Sequence, residues 1–122
     1  MSHLEEELLL HVRLHHIPVP VREYKFNREV VGNEKGVRAR LREAGLKDSR
    51  FDFAWLDQRF AVEVEGGSWS GGRHTRGKGF EDDCIKYGQA MINGWMVYRC
   101  TGGMIKSGLA IKTIKTMLNQ RS

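Results

Sequence analysis

Three acidic side chains, Asp52, Glu63 and Glu65, fall at positions that two neighbouring strands would bring together. Asp52 alternates with Phe51 and Phe53, and Glu63 and Glu65 alternate with Val62 and Val64. Successive strand residues face opposite sides, so the acidic positions of the two segments share one face. The short Asp57-Gln58 connection pairs them as an antiparallel hairpin. Three carboxylates on one patch repel unless a proton or cation sits between them. An all-oxygen set suits Mg2+ or Mn2+ better than zinc. An acidic hairpin face is also a common solvated surface, and the next segment favours the metal reading. Gly66 to Gly79 holds six glycines with Arg73, His74, Arg76 and Lys78. A metal beside Arg and Lys donors is the arrangement that holds and polarises a phosphodiester.

The elements that must carry these residues are readable from periodicity. Ser2 to about His16 reads as a helix, with Ser2 as N-cap, Glu5 in capping-box register and an apolar stripe of Leu4, Leu8, Leu9 and Val12. Pro18 and Pro20 end it. Val21 to Phe26 alternates as a strand. Asn27 to Ser49 is irregular, with a helical stretch near Glu34 to Ala44. Its Arg38, Arg40, Arg42, Lys47 and Arg50 form either a solvated basic face or an arm along phosphates. Strands follow over Phe51 to Leu56 and Phe60 to Glu65. Phe80 to about Ile92 reads as a helix with Phe80, Cys84, Tyr87 and Met91 on one stripe, ended by Asn93-Gly94. Trp95 to Cys100 reads as a buried strand, Thr101-Gly102-Gly103 as a turn, and Leu109 to Leu118 as a last helix. The order helix, strand, strand, strand, helix, strand, helix predicts an α/β domain with a mixed sheet flanked by helices, spanning residues 1–122.

Composition sets the outer bounds. A chain of 122 residues makes one domain, and 40% hydrophobic with 29% charged residues is a globular balance. Twenty Lys and Arg against 15 Asp and Glu give a net charge of +5, which leans towards a polyanionic partner. No apolar run approaches a membrane span, and a start with Glu5, Glu6 and Glu7 before only three leucines is not expected to be a secretory signal. Cys84 and Cys100 form no metal or redox motif, and point to a reducing cytosol, of a cell or of a virus's host.

Other side chains carry paired readings. His74 suits general acid or base work but is equally an exposed loop histidine. Trp69 either stacks on a base or plugs the loop against the core, whereas Trp55 and Trp95 read as core. Asp82 and Asp83 complement a helix dipole. His11 and His15 lack a third zinc ligand, and the glycine-rich loop lacks the GK(S/T) of a nucleotide-hydrolysing loop.

The stretch Arg50-Phe51-Asp52-Phe53-Ala54-Trp55, followed by Ala61-Val62-Glu63-Val64-Glu65-Gly66-Gly67, resembles the PD-(D/E)XK endonuclease superfamily, and within it the small branch related to very-short-patch-repair endonucleases. Gly94-Trp95-Met96-Val97-Tyr98-Arg99 resembles the "GW-x-V-x-R" strand of that branch. The resemblance runs from about Val21 to Ile114. It implies an αβββαβ, restriction-endonuclease-like core and metal-dependent cutting of DNA that leaves a 5′-phosphate and a 3′-hydroxyl. Asp52 and Glu63 match the metal-binding acids, and the Val64 carbonyl matches the position that completes the metal shell. Glu65 falls where most members carry lysine. It implies either a second metal ligand or base at Glu65, or a lysine reaching in from elsewhere, Lys86 first and Lys78 second. Glu23 on the first strand, or a helix-borne acid among Glu5, Glu6 and Glu7, is a further candidate. Arg73, Arg76 and Lys78 would neutralise phosphate charge. So short a chain favours recognition of DNA shape, a mismatch or a branch, as a nickase or a junction resolvase, the latter implying a homodimer. A nucleic-acid-binding protein that keeps the fold without catalysis is the competing expectation.

Overall fold

The computed structural model describes residues 2–66 and 77–122. Trp69, Arg73, His74 and Arg76 lie outside the described residues. The Ser2 hydroxyl accepts from the Glu5 backbone N–H at 3.1 Å and opens α1, His3–Leu14, which buries Leu8, Leu9 and Val12. β1 is Val21–Tyr24, shorter than the alternation predicts. The chain leaves the sheet there because Phe26 is fully buried and stacks on Phe51 with ring centroids 4.1 Å apart. Two short helices follow, α2 at Arg28–Val31 and α3 at Val37–Glu43. β2 is Phe51–Trp55, β3 is Phe60–Glu65, α4 is Lys78–Ile92 and β4 is Met96–Thr101.

The expected turn at Thr101-Gly102-Gly103 is instead the start of α5, Gly102–Lys106. Thr101 caps it, its hydroxyl accepting from the Met104 N–H at 3.3 Å. Gly102 lets α1 lie close, since a Cβ would sit 3.1 Å from a Leu4 methyl and that side chain would have to shift. Leu109–Gln120 forms α6.

The four strands lie in the order β1-β2-β3-β4. β1–β2 and β2–β3 are antiparallel and β3–β4 is parallel, so the protein is α/β with a mixed sheet flanked by helices. One sheet face packs Phe53, Trp55, Phe60 and Val62 against α1, α5 and α6. The other packs Phe51, Ala54 and Ala61 with Phe26, Trp95 and Ala90. Each buried aromatic contributes about 2 kcal/mol relative to exposure.

Two corrections to the sequence reading bear on the site. Simple alternation puts Phe51 and Phe53 on one face, but they join opposite cores. The pleat breaks between them, at Asp52, and also on β1 between Arg22, which pairs with Phe53, and Tyr24, which pairs with Phe51. The β1 residue at that step, Glu23, takes φ +50°, a left-handed conformation. The second correction concerns α4. Phe80 and Met91 are 54% and 73% exposed and Cys84 is exposed. Of the expected stripe only Tyr87 turns inward, beside Lys86 and Ala90. The sheet beneath offers Ala54, Ala61 and the acidic Glu63, which an apolar stripe would not complement.

The turn end of the hairpin is held from outside. Arg59 donates to the Glu29 carboxylate at 2.8 and 3.0 Å and lies 4.2 Å over the Trp95 ring. Burial would raise the Glu29 carboxyl, but Arg59 and Tyr24 hydrogen bonds hold it below the usual range. Burial and the Glu29 partner push the Tyr24 phenol up to about 12. Cys84 and Cys100 are both unpaired. Among the described residues no helix is long and apolar enough to cross a membrane.

Candidate metal and phosphate site

β2 and β3 part at Asp52 and Glu63. Their last pair is Phe53–Val62, although β2 stays paired to β1 as far as Phe51 and β3 to β4 as far as Glu65. Carboxylates bridge the opening where ladder bonds would have run. Asp52 Oδ2 accepts from the Val64 N–H at 2.7 Å, and Glu63 Oε2 accepts from the Asp52 N–H at 3.1 Å. The two bonds fix both side chains against the fork and satisfy two part-buried backbone donors. Asp52 Oδ1 has no donor among the described residues.

Helix α4 closes the site from one side. Lys86 Nζ forms an ion pair with Glu63 Oε1, and the Tyr87 hydroxyl donates to the same oxygen at 3.4 Å. Glu63 is only 5% exposed. Burial pushes its carboxyl above the usual range; Lys86 opposes the rise, the Asp52 charge reinforces it and the Asp52 N–H opposes it. Burial, then the Glu63 charge, likewise pushes the Tyr87 phenol up, so Tyr87 remains a neutral donor. A charge this buried is tolerated only with a cation against it, and the Lys86 ammonium is that cation in the isolated chain.

The third acid of the hairpin has a different partner. Glu65 is ion-paired with Arg99, whose Nε also donates to it at 3.1 Å. Arg99 lies 4.8 Å over the Tyr87 ring and 3.8 Å from Asp83. Burial would lower its guanidinium, but the Glu65 bond holds it above the ordinary value. Periodicity placed Tyr87 on an apolar stripe and the resemblance placed Arg99 on the last strand, with no site role for either. Tyr87 adjoins Lys86 in the chain, and the parallel β3–β4 register, which only the fold shows, sets Arg99 beside Glu63.

The remaining candidates scatter. Lys78 is 84% exposed and 3.8 Å from Asp82. Glu23 stands level with Asp52 in the register but pairs with Arg50 at 3.0 Å, on the outside. Glu6 is exposed on α1, while Glu5 and Glu7 pair with Arg22 at 3.5 Å and Lys106 at 3.2 Å. Arg38 and Arg42 are exposed on α3. Arg40 holds the α2–α3 connection together, donating to the carbonyls of Val31, Gly32, Glu34 and Lys35 at 2.9–3.0 Å.

The donor set tests well against a hard cation. Among the described residues no group of three or more His, Cys, Asp and Glu side chains converges on one point. Two carboxylates and a main-chain carbonyl do stand at the fork, and Mg2+ is commonly held by one or two carboxylates with waters and substrate phosphates. Asp52, Glu63 and the Val64 carbonyl are oxygen donors of the kind such an ion takes, although the carbonyl also accepts from the Gly66 N–H at 3.1 Å, and among the described residues no histidine or cysteine joins the two carboxylates. In comparisons with protein-family models, curated proteins and solved structures, no match to this chain was found.

Proposed function

We propose that the chain is a metal-dependent DNA endonuclease of the PD-(D/E)XK type, which hydrolyses phosphodiester bonds and selects its substrate by structure or lesion, as a nickase or junction resolvase does. The observation that carries this reading is the convergence of Asp52, Glu63 and Lys86 on one fork of the sheet. Asp52, Glu63 and the Val64 carbonyl would hold Mg2+ or Mn2+. The bound ion supplies charge stabilisation at the scissile phosphate and a lowered water pKa. Lys86 carries the ammonium that most such sites place at the position of Glu65. Its charge orients the attacking water and stabilises the charge that develops on the phosphate. Tyr87 and Asp52 keep Glu63 fixed, and Arg99 neutralises Glu65. Arg73, Arg76, Lys78, Arg38 and Arg42, in a chain of net charge +5, serve phosphate contacts.

One feature favours a second reading, a nucleic-acid-binding protein without catalysis: Glu65 stands where lysine is usual. Lys86 weighs against it, since it supplies the ammonium from α4. Metal titration separates the two. Wild-type protein is expected to bind Mn2+ saturably by calorimetry, with affinity lower by about tenfold or more in both Asp52→Ala and Glu63→Ala. An isotherm that neither substitution changes would remove the metal from the fork and favour the binding protein.

A further inference from the structure

A small cavity of about 170 Å³ lies between the α3–β2 connection and α4, lined by Asn27, Lys47, Ser49, Ile85, Lys86 and Gln89. The Lys47–Asp82 ion pair, at 3.1 Å, joins its two walls. Asn27 is 2% exposed and is the informative residue. Its Nδ2 donates to the Lys47 carbonyl at 2.9 Å, while its Oδ1 is buried with no donor among the described residues. A buried acceptor without a partner is unfavourable until a donor reaches it.

We infer that this cavity receives one unpaired base of the DNA substrate, an inference that rests on the nuclease reading above. The volume is well below the roughly 300–1,000 Å³ of drug-sized pockets; one flat heterocycle fills it and a whole nucleotide does not. Asn27 lines the cavity, and a turn of its side chain would bring the buried Oδ1 to an N–H donor, which a base edge offers as an exocyclic amine or ring N–H. Ser49 and Gln89 answer donors or acceptors alike, and Ile85 supplies an apolar wall. Lys86 lines both the cavity and the carboxylate site, so a base held here belongs to the backbone next to the bond being cut. Extruding a base costs least where it is mismatched or already unpaired. The cavity thereby turns local unpairing into a binding preference, and gives the proposed selectivity a physical source.

The test compares two duplexes, one with a mismatched 2-aminopurine and one fully paired, each bound by the full chain in EDTA. Wild-type protein is expected to prefer the mismatched duplex by about tenfold and to raise its fluorescence, since among the described residues no aromatic side chain lines the cavity. Asn27→Leu removes the acceptor. Ile85→Trp fills the cavity from an exposed helix position and serves even where the buried substitution unfolds the chain. Both are expected to abolish the preference and the fluorescence rise while keeping affinity for paired DNA. Preference and fluorescence that persist in Ile85→Trp overturn the inference and assign the cavity to water, leaving the nuclease reading intact. Failure to bind either duplex overturns both together.

Discussion

Replacing Lys86 with alanine is expected to slow DNA cleavage by about 10²–10³-fold, the usual loss when a preorganised charge-stabilising donor is removed. Paired-DNA affinity should change by less than about threefold, because one contact among many phosphate contacts is lost. The ammonium does two things on the fork. In the isolated chain it neutralises Glu63, which is buried and accepts from it directly. In the proposed reaction it faces the phosphate. These roles separate by a double-mutant comparison. Lys86→Ala alone leaves a buried carboxylate without its cation, which destabilises the fold by about 1–3 kcal/mol, less than a fully enclosed pair because Lys86 is partly exposed and Glu63 is free to take a proton. Adding Glu63→Gln removes that charge and is expected to restore stability without restoring cleavage. Single-turnover rates and denaturant midpoints check both. A cleavage loss under about fivefold would leave Lys86 only a structural part.

Phe51→Ala is expected to lower stability by about 3–5 kcal/mol and the melting temperature by roughly 10–20 °C. Phe51 is fully buried, stacks on Phe26 and meets Trp95 edge-on at a centroid distance of 5.1 Å. It is also the residue that turns to the α4 side where the pleat breaks, directly before Asp52. Losing the ring removes the anchor that holds that break in place, so cleavage should fall even at temperatures where the variant remains folded. Leu14→Ala, at a helix position 64% exposed, is the control and should stay within about 0.5 kcal/mol. Thermal melts of the two variants beside wild type decide it. A Phe51→Ala melt within a few degrees of wild type would contradict this account of the core.

Several parts of this geometry were legible in the chain alone. The Ser2 cap, the bounds of β3 and the pairing of β2 with β3 follow from local rules of capping and alternation. Those rules also suffice to put Asp52 opposite Glu63. The break at Asp52 and Glu23 was hidden because alternation assumes an unbroken pleat, and nothing in Phe51-Asp52-Phe53 marks the residue where it fails. Three of the four stripe positions on α4 misled because the sheet beneath offers small and charged residues, so the helix buries Ala90, half-buries Lys86 and Tyr87, and leaves Phe80, Cys84 and Met91 out. α5 was missed because two glycines read as a turn, whereas Gly102 opens a helix and lies close under Leu4 of α1. Arg40 looked like one member of a basic arm, and only the folded α2–α3 connection shows the carbonyls it collects. Arg99 depends on the parallel register of β3 with β4, which a sequence pattern does not encode.

The most direct measurement is a cleavage assay on supercoiled, mismatched and four-way-junction DNA, in Mg2+, Mn2+ or EDTA, with wild type beside Asp52→Ala and Glu63→Ala. The account predicts cuts that need the metal, favour mismatched or branched DNA, and fall by about 10³-fold or more in each variant. Cuts that persist in both variants would contradict it. So would intact DNA binding in EDTA with no cleavage of any substrate, which would leave the fork of Asp52, Glu63 and Lys86 as part of a binding protein.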